Sequence, residues 1–158
     1  VIFILTAVLV ICFGVICYVD FRWFIIPDAV NVTLLAAGLM FRLQQGWVET
    51  FTACAFALLV ALLMWTIRQV HLRLTGRVGL GLGDVKLAGA AAVWFSPWMF
   101  PIFLFLASSL ALVFLLIFNL ARKDVQTQKI PFGPFLAGSL VVTWNLERLY
   151  GPFIGQIS

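Results

Sequence analysis

Two of the six carboxylates in this chain, Asp20 and Asp84, stand where an acid is costly. Asp20 directly continues an uninterrupted apolar run, Val1 to Val19, and Asp84 directly precedes another. An ionisable group at the end of a membrane helix must meet water or a partner, which makes it a functional candidate. Paired carboxylates have a chemistry of their own: like charges close together do not both ionise, so one keeps a proton while the other can activate water. Such pairs also serve as proton or cation sites, and both acids could instead be plain interfacial caps. The other four read more simply. Glu49, Glu147 and Asp124, the last beside Arg122 and Lys123, are expected to be solvated, and Asp28 after Pro27 suits a helix N-cap.

The residues before Asp84 sharpen its reading. Gly79-Leu80-Gly81-Leu82-Gly83-Asp84-Val85-Lys86 places glycine at alternate positions, which frees the backbone for positive φ and lets a substrate strand approach without meeting a Cβ. A glycine loop before a helix could cradle phosphate. This one lacks the G-x-G-x-x-G and G-x-x-x-x-G-K-[ST] patterns and puts a carboxylate where the anion would sit, so water activation fits better.

The elements that must hold these acids are membrane helices. Of 158 residues, 64% are hydrophobic and only 10% charged, against about 25% in a soluble domain. With a mean hydropathy of +1.14, the chain needs lipid as its solvent. The expected architecture is an all-α, polytopic membrane protein with about six transmembrane helices, forming a single domain over 1–158. The apolar segments are 2–19, 29–43, 49–67, 84–96, 100–120 and 133–149, with 68–83 as the longest loop. The first, without a basic start or a small-x-small cleavage site, reads as a retained helix rather than a signal peptide. Segments two and four look short for a hydrocarbon core of about 30 Å. Either the loops before them dip into the membrane, or the helices run on through Gln44 and Trp98, or the bilayer thins locally.

Alternation puts the loops 20–28, 68–83 and 121–132 on one side. That side carries Arg22, Arg68, Arg73, Arg77, Lys86, Arg122, Lys123 and Lys129, against Arg42 and Arg148 opposite. The bias places those loops in the cytoplasm. It also explains the net charge of +4 without a nucleic-acid partner. Cys12, Cys17 and Cys54 lie in apolar stretches with no C-x-x-C pair, so they are expected to be buried thiols, and neither a metal nor a cofactor is implied. His71, the single histidine, reads as a solvated loop residue.

Gly81-Leu82-Gly83-Asp84 followed by Val85-Lys86-Leu87 resembles the G-x-G-D motif of the type IV prepilin peptidases, membrane-embedded aspartyl proteases. Asp20, eight residues before Asp28 in Asp20-Phe21-Arg22-Trp23-Phe24-Ile25-Ile26-Pro27-Asp28, is similar to that family's first catalytic aspartate and the Ile-Pro-Asp turn after it. Ile130-Pro131-Phe132-Gly133-Pro134 is similar to its late Pro-Phe-Gly-Pro segment, in which Pro131 and Pro134 are expected to shape the start of the last helix. The resemblance implies Asp20 and Asp84 as the catalytic pair, with Pro27, Asp28, Gly81, Gly83 and Lys86 in the surrounding active-site loops. It further implies prepilins or pilin-like secretion subunits as substrates, cut at the cytoplasmic face of the bacterial plasma membrane. Long members also carry paired cysteines in an N-terminal insertion and methylate the new N-terminus; this sequence has no such cysteines and so resembles the short form. Helix dipoles would favour the charged form of Asp84, at a helix start, and the protonated form of Asp20, at a helix end. The competing functional class is a small proton- or ion-coupled transporter subunit using the same two aspartates. Against it, no internal repeat is visible and both acids lie at one face.

Overall fold

The computed structural model describes residues 2–121 and 131–154, all of whose regular structure is helical. The helices are α1 (Ile2–Trp23), α2 (Asp28–Gln45), α3 (Trp47–Thr75), α4 (Leu82–Ala91), α5 (Phe100–Ala121) and α6 (Gly133–Ile154), with one 3-10 turn at Pro97–Met99. Each expected segment is therefore a helix. Arg122, Lys123, Asp124, Lys129 and Ile130 lie outside the described residues. α1, α3 and the run Pro97–Phe118 are long and apolar enough to cross a membrane. Large apolar side chains such as Phe3, Phe51 and Phe105 stand exposed around the bundle, as a lipid-facing surface requires.

The helix ends follow local chemistry. α1 closes with Phe24 in the left-handed region (φ 55°), its N–H donating to the Asp20 carbonyl at 2.9 Å. Pro27 then keeps Ile26 out of helical geometry and stands as the residue before α2. α3 ends at Gly76, whose φ of 67° suits a residue without a Cβ, and whose N–H donates to Leu72 O at 2.9 Å. α3 thus runs through His71, which is helical rather than in a loop, and the sixteen-residue loop expected at 68–83 shrinks to 76–81.

α4 departs most from expectation. α2 does run on to Gln45, but α4 stops at Ala91 after ten residues, about 15 Å, and never reaches Trp98. It can be this short because it does not face lipid: α2, α3 and α6 pack around it, and Val85 and Leu87 to Ala91 are all buried. The chain beyond it forms a buried turn whose polar backbone is satisfied from other helices. Arg42 Nε donates to Val93 O at 2.8 Å, and both oxygens of Glu147 accept the Ser96 N–H at 3.0 and 3.1 Å. Glu147 is therefore a structural acceptor rather than a solvated surface acid.

The aromatic core sits beside this turn. Trp94 and Trp144 meet edge to face at 5.3 Å, and Phe41 meets Trp144 at 4.7 Å. Such pairs add about 0.5–1.5 kcal/mol beyond the area they bury. Trp94 Nε1 donates to Leu34 O at 3.0 Å, lying over Gly38, where a Cβ would stand 2.9 Å from that nitrogen. Of the three cysteines, all free, only Cys12 is buried; Cys54 is exposed on the apolar surface, which corrects the expectation for it.

Candidate active site

The antiparallel order brings the end of α1, the start of α2, the loop after α3, the start of α4 and the approach to α6 to one end of the bundle. They surround a cleft of about 1180 Å³. All seven residues expected at the site line it: Asp20, Pro27, Asp28, Gly81, Gly83, Asp84 and Lys86. Phe24, Arg77, Pro131 and Phe132 share its walls.

Asp20 lies in the last turn of α1 and is 5% exposed, so its carboxylate depends on protein partners. The partner comes from the far end of the sequence: the Gly133 N–H donates to Asp20 Oδ2 at 3.0 Å. Gly133 begins α6, so its amide is one of the unsatisfied donors of a helix N-terminus. Asp84 is the third residue of α4, and its carboxylate folds back toward Gly81, the residue before the helix. Both acids thus stand against helix N-termini, and the dipole argument that assigned them different protonation states does not separate them. Both carboxylates line the same cleft.

The glycines work by close approach. Gly81 has φ −67°, and among the described residues only Gly46, Gly76 and Phe24 have positive φ, so the expected left-handed geometry is absent from the glycine loop. A Cβ on Gly79 would stand 2.6 Å from the His71 ring, one on Gly81 2.9 Å from Asp84 Oδ2, and one on Gly83 3.1 Å from Ile26. Gly133 is tighter than Gly81 or Gly83: a Cβ there would lie 2.7 Å from Asp20 Oδ2 and 2.9 Å from Ile26 Cδ1. Sequence reasoning gave the late Pro-Phe-Gly-Pro segment only a shaping role. The glycine between its prolines was the available signal.

Asp28 is the first residue of α2, and the cap position itself falls on Pro27, contrary to the expected capping role of Asp28. Its Oδ1 instead accepts from Lys86 Nζ at 2.7 Å, in an exposed ion pair that joins α2 to α4 at the cleft.

A buried acid, Asp20, and a half-buried one, Asp84, on different helices, with glycines cleared around them in one cleft, are the arrangement that the motifs imply. A model of the type IV leader peptidase family matches residues 7–117. The chain belongs to the type IV leader peptidase family. It is 33% identical over 141 residues to the prepilin leader peptidase/N-methyltransferase of Dichelobacter nodosus, covering 89% of this chain and 46% of that protein. The protein of the same name from Aeromonas hydrophila is 34% identical, over 84% of this chain and 47% of its own length. That of Neisseria gonorrhoeae is 30% identical, over 76% and 41%. The chain spans about half the length of the curated relatives it matches. No solved structure matches it. The family gives no support to the transporter reading.

Proposed function

We propose that this chain is an aspartic endopeptidase that removes the leader of type IV prepilins or pilin-like secretion subunits, with Asp20 and Asp84 as its catalytic pair. The observation that carries the reading is the meeting of these two carboxylates in one cleft, from helices 64 positions apart in the sequence, within a leader peptidase family. The pair shares one proton. The ionised carboxylate takes a proton from water as the oxygen attacks the scissile carbonyl carbon, and the protonated one donates a hydrogen bond to the carbonyl oxygen. Collapse of the tetrahedral intermediate breaks the C–N bond, and the amine leaves with a proton returned from the dyad. The names of the relatives carry two activities; the cleft supports the peptidase.

The Lys and Arg bias favours a cleft that opens at the cytoplasmic face of the plasma membrane. A prepilin would present its apolar helix in the bilayer and its leader at that face, bringing the scissile bond to the level of the acids. Co-expression with a type IV prepilin tests the reading. Asp20→Asn and Asp84→Asn should each lower leader removal by about a hundredfold or more, since each deletes one half of the acid–base pair. Near-normal cleavage by either variant would overturn the dyad.

A further inference from the structure

α3 has 29 residues and is about 44 Å long, well beyond a hydrocarbon core of about 30 Å. Its last turns stand beside the cleft, and the chain reverses at Gly76 so that the glycine loop lies back along them. Two side chains on these turns hold the loop. Arg68 Nε donates to Leu80 O at 3.1 Å. The His71 ring packs so tightly on Gly79 that a Cβ there would meet its Cδ2 at 2.6 Å and its Nε2 at 2.7 Å. Arg68 and His71 are three residues apart and so share a helix face. Leu80 directly precedes Gly81, from which α4 starts, and Asp84 sits in the first turn. The loop is therefore the short link between a long, fixed helix and the carboxylate. Neither Arg68 nor His71 lines the cleft; they meet it through Leu80 and Gly79, which do.

We infer that Arg68 and His71 are positioning residues: together they form a cradle that fixes the glycine loop and, through it, the placement of the Asp84 carboxylate. The inference rests on the reading of Asp84 as one of the catalytic pair. Arg68 then has a second task besides adding positive charge to one side of the membrane, and His71, an exposed side chain, packs on the loop as well. A positioning group acts on turnover more than on substrate binding, because small misplacements of a reacting group weigh on the chemical step.

The test uses the purified full chain in detergent with a type IV prepilin as substrate. Arg68→Gln should lower kcat by roughly tenfold to a hundredfold, with KM within about threefold of wild type. Arg68→Lys, which keeps a donor, should recover part of the loss. Hydrogen–deuterium exchange over residues 79–83 should quicken in Arg68→Gln. Gly79→Ala should lower kcat because the new methyl meets the ring, and His71→Ala should lower it because the loop loses one arm of the cradle; in the double variant the two losses should not add. This second pair stands independently if Arg68→Gln does not fold. Wild-type kcat in both Arg68→Gln and Gly79→Ala would overturn the cradle, as would a loss confined to KM or a loss with loop exchange unchanged. Asp84→Asn run in parallel separates the two claims: cleavage retained there would defeat the catalytic reading itself, while the exchange measurement would still report on the loop.

Discussion

The backbone N–H of Gly133 donates to the Oδ2 of Asp20 across 113 positions of sequence. One helix supplies the acid and another, arriving last in the chain, supplies the donor that orients it. A Cβ at residue 133 would stand 2.7 Å from that same oxygen, so Gly133→Ala must displace either the carboxylate or the start of α6. Leader removal should fall by about tenfold or more, while the protein still accumulates in the membrane. Quantifying processed and unprocessed prepilin against the amount of enzyme in the same membranes checks this.

The turn after α4 should matter for stability and not for turnover. Glu147 accepts the Ser96 N–H with both oxygens, and Glu147→Ala leaves that partly buried donor without its partner. A loss of about 1–3 kcal/mol follows, seen as a lower unfolding midpoint in detergent. The kcat of the folded fraction should be unchanged, because this turn lies at the end of α4 away from Asp84.

Gly38 is the complementary case in the core. Trp94 is fully buried and cannot retreat, and a methyl at residue 38 would come within 2.9 Å of its Nε1. Overpacking by Gly38→Ala should destabilise by about 1–3 kcal/mol. A blue-shift or broadening of tryptophan fluorescence together with a lower midpoint would report it; an unchanged midpoint would mean that α2 moves away freely.

The Asp28–Lys86 pair should behave in the opposite way. Both side chains are more than half exposed, at 70% and 53%, and exposed pairs contribute under about 1 kcal/mol. Asp28→Asn and Lys86→Gln should therefore leave the unfolding midpoint nearly unchanged. Because both groups line the cleft, the KM for prepilin should shift instead, most at low ionic strength, where exposed charges are least screened. Steady-state kinetics at two salt concentrations decides this.

Much of the molecule was legible because lipid imposes simple patterns. Six apolar segments gave six helices, and the glycine-aspartate and proline-aspartate motifs named seven residues that meet in one cleft. What escaped depends on distant partners. The run Ala92 to Phe95 is as apolar as a helix, yet it turns: Arg42 satisfies the Val93 carbonyl and Glu147 the N–H of the following Ser96, each from 51 positions away. No local pattern records such a partner. The glycines of the loop read in the sequence as backbone freedom and room for a substrate strand, whereas the space they leave is filled by His71, the Asp84 carboxylate and Ile26. Asp28 looked like a cap by its position before an apolar run, but Lys86, 58 residues on, takes its carboxylate.

Ile26 touches the glycines of both acids: its Cδ1 would lie 2.9 Å from a Cβ on Gly133, and its Cβ 3.1 Å from one on Gly83. The glycine beside Asp84 and the glycine that donates to Asp20 are thus spaced by a wedge of hydrocarbon rather than by a strut of charges. A spacer of that kind holds its width through changes of salt and acidity, and answers to volume alone. Shaving it, as in Ile26→Val or Ile26→Ala, should let the two walls of the cleft settle toward each other in graded steps. On the proposed mechanism, the distance over which the dyad shares a water molecule is in this sense written in methyl groups.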